Sequence, residues 1–552
     1  MTRLFPFLLL LCLDLVGGAV SLAAGQAEHV VVLVWDGMRP DFVTPQYTPT
    51  LYELATRGTF FKNHHSAYVT TTEVNGTALV TGMQPARSGI FANSQYHREL
   101  NWLGPLGTEA FDAVRRGDLL WDGHYLDAAT IPEVLQSAGF PTITAGAKPV
   151  VLLHDRASKK ATQAQKDSVT LFRGKTLPRS LMDSLVKTPE IGAFPADPPA
   201  PDSTKAKITH YLKVGRAKAL EWIYGKPKTP QQSRLVDAWT TKALVHGLWK
   251  DGVPKYTLLW LSEPDASQHE SGVGSGNAEL GLASSDKNLA LVLKTLETKG
   301  VLDKTDILIV SDHGFSTIDR GSDQLIDSLK RARFVAGKQF DNPEAGDVLV
   351  VHLGGSTCFY VYEHDEATIR RLVEYLQCTD YAGVIFTALR LQGTFPLSQV
   401  GLEMERGGPD VLVAMRWSKQ GNDLGAPGII VSPDGKRGRG THGSLSRFDI
   451  NNTLIAAGPD FKTGYVSELA SGNIDIAPTV YAILGVHPPA PTDGRVLVEA
   501  MTGHDQPIPK MEEKKMEASR DFPFRTWHQY LKFSRVGPVT YYDEGNGESR
   551  VK

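Results

Sequence analysis

Residues 30–42 read VVVLVWDGMRPDF. Six apolar residues, Val30 to Trp35, run without alternation and stop at Asp36. A strand buried on both faces of a parallel sheet looks like this, with the polar residue marking its end. The same layout recurs at Thr257 to Leu261 before Glu263, and at Ile307 to Val310 before Ser311 and Asp312. Helical patterns lie between these runs. One opens at Thr48 with Pro49 in its first turn and stops at Gly58; another follows Ser284 and sets Leu289, Leu293 and Leu296 on one face. The alternation predicts an α/β fold, a mostly parallel sheet sandwiched by helices, with functional groups collected at the carboxyl ends of the strands.

Outward from that core, residues 157–230 are rich in Lys, Ser, Thr and Pro, with a Pro-dense patch at 195–201, and read as a cap inserted into the core. Residues 321–420 carry a strand at Cys358 to Tyr362, a helix near Glu366 to Leu376 and a strand at Val384 to Thr387, the pattern of a small inserted α+β lobe. The core resumes near Gly428, so that the catalytic unit spans 28–505. Residues 506–552 read as a polar tail.

The 552-residue chain is 41% hydrophobic and 22% charged, and its 58 basic and 61 acidic residues leave a formal charge of -3. That near-balance argues against nucleic acid or an anionic membrane as the main partner. Met-Thr-Arg, an apolar run from Leu4 to Leu13 and small residues through Ala23, Ala24 and Ala27 form the layout of a cleaved secretory leader over residues 1–27. A secreted or periplasmic product follows. No later stretch reaches the roughly 18 apolar residues of a spanning helix. Cys358 and Cys378 flank a strand and helix, so either one disulfide or two thiols fits the spacing. Two cysteines do not make a thiolate zinc site, which leaves oxygen and imidazole as ligands for any metal.

Four separated segments offer such ligands: Asp36 in the opening stretch, Asp265 and His269 in LSEPDASQHESG, Asp312 and His313 in VSDHGFS, and His442 in GRGTHGSLS. Taken singly, each has an ordinary reading. Asp36 caps a turn, Asp265 and His269 form an i,i+4 surface pair, and His442 is a loop histidine. Together, three carboxylates and three imidazoles are the donor set of two metals sharing a phosphate, with zinc favoured and manganese or iron as alternatives.

The ordered set WDG, a threonine-rich turn, EPDxxxH, SDHG and GTHG resembles the alkaline phosphatase superfamily, in particular its type I phosphodiesterase and nucleotide pyrophosphatase branch. The likeness covers residues 28–320 and 428–500, outside the cap, lobe and tail. It implies a metal-bound threonine that attacks phosphorus and forms a covalent phospho-enzyme. In YVTTTEVNGTALVTGMQP, counting back from the family's helix selects Thr72 among Thr70, Thr71 and Thr72. A helix over 73–80 would place that hydroxyl at an N-terminus, where backbone N–H groups favour phosphate. The resemblance gives Asp36, Thr72, Asp312 and His313 to one metal and Asp265, His269 and His442 to the other, and makes Asn93 in GIFANSQY a donor to the phosphoryl group.

Two features depart from the diesterase pattern. Lys148, in TAGAKPVVLLHDR, puts a cation where diesterases generally lack one, which suits a phosphomonoester dianion; Arg156 is a second candidate. Gly76 replaces a bulkier residue. The sequence thus points to a small-molecule phosphoester hydrolase, monoesters somewhat ahead of diesters or phosphonates. A metal-containing secreted binding protein is the non-enzymatic alternative.

Overall fold

The computed structural model describes residues 25–156, 163–195, 229–320, 324–503 and 507–552. The expected leader up to residue 24, and residues 157–162 and 196–228 of the expected cap, lie outside the described residues.

The fold is α/β, a mixed sheet with helices on both faces. Its central sheet orders its strands Tyr465–Ser467, Thr59–Phe61, Leu454–Ala457, Thr305–Val310, His29–Trp35, Tyr256–Leu261, Thr142–Gly146, Val169–Phe172 and Lys175–Leu177. Thr305–Val310, His29–Trp35, Tyr256–Leu261 and Thr142–Gly146 are consecutive and mutually parallel. The unbroken apolar run of His29–Trp35 explains its central place, because both faces are covered. Val30, Val32 and Val34 pack towards Leu79, Val80 and Val480 on one side. Val31, Leu33 and Trp35 pack towards Leu244, Leu289 and Val292 on the other. Each such side chain taken from water contributes about 1.5–3 kcal/mol before ordering costs.

Three segments behave differently from their reading in sequence. Within the expected cap, Val169–Phe172 pairs with Thr142–Gly146 and extends the main sheet. Its Lys- and Thr-rich surroundings hid a short buried strand. The expected lobe does hold a helix at Glu366–Leu376 and strands at Ser356–Val361 and Ala382–Thr387. Its sheet, however, runs through Val411–Gly421 and Pro427–Val431 into Ser316–Arg320 and Gly440–Thr441, and so is continuous with core segments.

The polar tail is a three-stranded antiparallel ribbon, Met511–Phe522, Arg525–Val536 and Val539–Val551. The charged residues that suggested a tail, Glu512, Glu513, Lys514 and Lys515, lie exposed on its outer strand. Such charges keep an edge strand from pairing with another chain. Trp527 and Leu531, on the middle strand, are fully buried.

Cys358 and Cys378 are both free thiols, the first buried and the second exposed, so the possible disulfide is not formed. Among the described residues, no helix is long and apolar enough to cross a membrane.

Candidate active site

The four consecutive parallel strands each deliver functional groups at their carboxyl ends. Asp312 and His313 follow Thr305–Val310, Asp36 follows His29–Trp35, Asp265 follows Tyr256–Leu261, and Lys148 follows Thr142–Gly146. Asp265 opens the short helix Asp265–Ser271, which carries His269 one turn later on the same face. The bridge of Gly440–Thr441 to Ser316–Arg320 brings in His442.

Two clusters result. In the first, His313 Nε2 lies 3.6 Å from Asp36 Oδ1, 3.3 Å from Asp312 Oδ2 and 3.4 Å from Thr72 Oγ1. In the second, His269 Nε2 and His442 Nε2 are 3.2 Å apart and lie 3.2 Å and 3.6 Å from Asp265 Oδ1. Asp265, His313 and His442 also form a compact group, so the clusters adjoin. The structure therefore brings together all seven residues expected to hold metal.

The hydrogen bonds around the clusters fix which atoms face inward. His269 Nδ1 lies 3.1 Å from Gly440 O, His313 Nδ1 2.9 Å from Gly314 O, and His442 Nδ1 2.9 Å from Thr70 O. A carbonyl only accepts, so each Nδ1 carries the proton and each Nε2 presents a lone pair. The 3.2 Å approach of His269 to His442 thus sets two lone pairs facing each other. The carboxylates follow the same plan. Asp36 Oδ2 accepts from Trp260 Nε1 at 2.9 Å and from Lys148 at 2.7 Å. Asp265 Oδ2 accepts from Lys148 at 2.6 Å. Asp312 Oδ1 accepts from the Gly37 and His313 backbone N–H groups, both at 3.0 Å. Their other oxygens, Asp36 Oδ1, Asp265 Oδ1 and Asp312 Oδ2, are buried without a hydrogen-bond partner. An unsatisfied buried acceptor costs about 1–3 kcal/mol, and more when charged. Bare carboxylate oxygens facing imidazole lone pairs are satisfied by cations, so this donor set fits divalent metals.

The electrostatics agree. Burial pushes Asp312 up to about 7, and burial together with the charge of Asp312 raises Asp36. Burial alone would raise Asp265 too, but the Lys148 charge beside it holds it well below the usual range. Lys148 is held well above the usual lysine range because Asp265, Asp36 and Asp312 outweigh its burial. Burial brings His313 down to about 4 and holds His442 well below 6.5, so both imidazoles are neutral at pH 7.

Of the three threonines, Thr72 alone turns towards the clusters, at the first position of the helix Thr72–Thr81. Thr70 Oγ1 donates to Ser444 O and accepts from Gly443 N. Thr71 Oγ1 is buried without a hydrogen bond. Asn93 Oδ1 accepts from the Glu73 backbone N–H at 3.2 Å, which ties its amide to the same helix end. Lys148 reaches the site, but two of its three N–H groups are directed at Asp36 and Asp265. Arg156 does not belong to it: its guanidinium is held by Asp118 and Glu133. Gly76 is explained by packing, since a Cβ there would fall 2.6 Å from Val150 Cγ2 and 3.0 Å from Trp260 Cη2.

Several supporting residues carried no signal in sequence. Asp237 accepts from Ser262 N, Ser262 Oγ and Glu263 N, which holds the turn leading to Asp265. Asp449 accepts from Ser316 Oγ and from the backbone and hydroxyl of Ser444, just past His442. Their partners lie too far along the chain, or look too ordinary, to mark them. A cleft of about 550 Å³ is bounded by Ser94, Lys330, Lys338, His352 and Asp434, and none of the seven clustered residues lines it.

A sheet of this order, with acidic and imidazole groups converging at its carboxyl edge, defines an alkaline phosphatase-superfamily chain. The type I phosphodiesterase / nucleotide pyrophosphatase family model matches residues 30–416, and the chain belongs to that family. Venom phosphodiesterase 2 of Crotalus adamanteus is 21% identical over 306 residues, covering 54% of this chain and 28% of that protein. Bis(5'-adenosyl)-triphosphatase enpp4 of Xenopus laevis is 20% identical over 315 residues, covering 57% and 53%. The chain thus spans between about a quarter and a half of the length of these relatives. Among solved structures, murine ectonucleotide pyrophosphatase/phosphodiesterase 5, an inactive variant in complex with AMP, superposes with a TM-score of 0.55 at 17% identity, over 86% of this chain and all of that one. A mutant of alkaline phosphatase PafA superposes with a TM-score of 0.58 at 16% identity, over 87% and 100%.

Proposed function

We propose that this chain is an exported two-metal phosphoester hydrolase that uses Thr72 as its nucleophile. The observation that carries the reading is the convergence of three bare carboxylate oxygens and three imidazole lone pairs beside a threonine hydroxyl at a helix N-terminus. Asp36, Asp312 and His313, with Thr72, would hold one divalent cation, and Asp265, His269 and His442 the other. Such cations, zinc first among them on this donor set, lower the pKa of a bound hydroxyl and stabilise charge on transferring phosphoryl and leaving oxygens.

The protein's own part is orientation. Thr72 Oγ1 is fixed at the first turn of its helix, whose N–H groups and dipole favour the phosphoryl oxygens. Asn93, its carbonyl engaged by Glu73 N, turns its N–H2 group to donate to phosphate. In-line attack by Thr72 Oγ1 would form the Oγ–P bond as the P–O bond to the leaving alcohol breaks, the hydroxyl proton passing to that alcohol. Water would then attack from the opposite face, break the Oγ–P bond, restore the Thr72 hydroxyl and release the phosphate or phosphomonoester.

Relatives named as phosphodiesterase and bis(5'-adenosyl)-triphosphatase favour a diester or diphosphate substrate. The direction of two Lys148 N–H groups at carboxylates weakens the monoester expectation. A monoester remains the second reading, because Lys148 keeps a third N–H and stays buried at the site.

The test is zinc-dependent hydrolysis of p-nitrophenyl phosphate against its bis-ester, with Thr72→Ala alongside. A preference for the bis-ester, abolished in Thr72→Ala, supports the diesterase reading. A monoester preference that Lys148→Ala reverses would replace it. Turnover that survives removal of all divalent metal would sink the two-metal mechanism, and absent turnover of both with zinc, manganese and iron would sink the hydrolase.

A further inference from the structure

Asn473 belongs to none of the motifs above and lies beyond the stretch matched by the family model. It opens the turn Asn473–Asp475, ahead of the helix Ile476–Leu484, and is 1% exposed. Its Nδ2 donates to Asp312 O at 2.8 Å and to Asn75 Oδ1 at 3.0 Å. Its Oδ1 lies 3.0 Å from His64 Nε2 and accepts from Asn452 Nδ2 at 3.4 Å. All four hydrogen-bonding positions of the amide are filled.

The orientation is over-determined. Asp312 O only accepts, so the atom facing it is the amide nitrogen. His64 Nε2 must then carry the proton donated to Asn473 Oδ1, and His64 Nδ1 accepts from the Ser471 hydroxyl at 2.9 Å. Burial brings His64 down to about 3, which keeps the ring neutral.

On the far side, Asn75 sits in the first turn of the helix Thr72–Thr81. Its Oδ1 also accepts from Ala67 N, and its Nδ2 donates to Ala67 O and Thr71 O. The two amides therefore tie the peptide of Asp312 to the turn that carries Thr72. The C-terminal ribbon braces the same segment: Tyr541 OH donates to Asp475 Oδ2 at 2.8 Å, and that oxygen accepts from Gly472 N.

We propose that Asn473 is a positioning residue that sets the separation between the Thr72 hydroxyl and the Asp312–His313 pair, and that the ribbon holds it in register through Tyr541 and Asp475. The proposal rests on Thr72 being the nucleophile of a metal-dependent hydrolase. The Asn473 and Asn75 amides are buried with their hydrogen-bonding positions filled by protein groups, so a donor lost there is not replaced by water. A misplacement on the order of 1 Å between nucleophile and phosphoryl acceptor lowers the chemical step without loosening substrate binding.

The experiment uses the full chain loaded with zinc, assayed on bis-(p-nitrophenyl) phosphate, with zinc titration of the metal-free protein as a readout independent of turnover. Asn473→Asp keeps the shape and turns the donor towards Asp312 O into an acceptor. It should lower kcat by about 10- to 100-fold, shift KM by less than about threefold, and weaken zinc binding by about tenfold. A folded Asn473→Asp protein with wild-type kcat and zinc affinity overturns the proposal, as does a loss confined to thermal stability. Tyr541→Phe removes a single O–H and tests the ribbon where Asn473→Asp fails to fold; about a two- to fivefold lower kcat at constant KM is expected. Wild-type kcat in Tyr541→Phe overturns the bracing. Should wild-type enzyme turn over neither this diester nor p-nitrophenyl phosphate, the hydrolase reading fails, and the zinc titrations of Asn473→Asp and Tyr541→Phe still decide whether this network sets the Asp312 cluster.

Discussion

The Trp260 indole donates to Asp36 Oδ2 at 2.9 Å, on the carboxylate oxygen opposite the one that faces His313. The bond leaves Oδ1 to point inward and fixes the carboxylate's rotation. Trp260→Phe keeps most of the ring and removes the donor. Zinc affinity should fall about tenfold, as is usual when an outer partner of a ligand is lost. Competition titration against a chelating dye measures it, and an unchanged affinity would show that Lys148 alone orients Asp36.

Lys148 acts as a counter-ion for Asp36 and Asp265 as well as a candidate contact to substrate. Breaking a buried ion pair by removing one partner costs about 3–5 kcal/mol. Lys148→Ala should therefore destabilise the metal-free protein strongly and the zinc-loaded protein much less, since bound cations neutralise the same carboxylates. Thermal unfolding in chelator and in zinc separates the two. An equal loss in both conditions would rule out the counter-ion role.

Thr72→Ala should lower kcat by about 1,000-fold or more while leaving zinc stoichiometry near wild type, because the remaining ligands are intact. Thr72→Ser should recover much of the rate. Acid-quenched turnover followed by mass spectrometry should find a phosphoryl adduct on residue 72 in the wild type, carrying the remaining ester group when the substrate is a diester. Phosphate on Thr70 or Thr71 instead would contradict the assignment.

Asp306 makes a pH prediction away from the site. It lies at the amino end of its strand beside Asp460, and burial together with the Asp460 charge pushes its carboxyl from 3.8 up to about 9. The folded state then holds a proton that the unfolded chain has released. The stabilisation is full below pH about 4 and is lost as pH rises towards about 9. Asp306→Asn retains the acceptor for Asp460 N. It should raise stability at pH 8 and flatten the dependence between pH 5 and about 9. Denaturant melts at several pH values test this; a variant less stable than wild type at pH 8 would reverse the sign.

Much of the site was legible because its chemistry is written in short local strings. WDG, SDHG and EPDxxxH each place a ligand at a strand end, and the apolar run before each string predicts that strand. The central sheet was readable for the same reason. The C-terminal ribbon was not, because Glu512 to Lys515 form the solvent face of an edge strand and carry the composition of a disordered tail. Val169–Phe172 was hidden by its polar flanks. Arg156 misled because a cation near a strand end says nothing of the two carboxylates, Asp118 and Glu133, that claim it. Trp260, Asp237 and Asn473 act through partners from 25 to 224 positions away, a separation that no local pattern encodes.

The ligands run from Asp36 to His442, and the bracing of the site continues to Tyr541. The first cluster spans Asp36 to His313 and the second Asp265 to His442, so neither can close until strands from both halves of the chain have docked. Capture of the proposed second cation is then a checkpoint on assembly: a chain stalled before residue 442 carries Asp265 and His269 without His442 to complete their cluster.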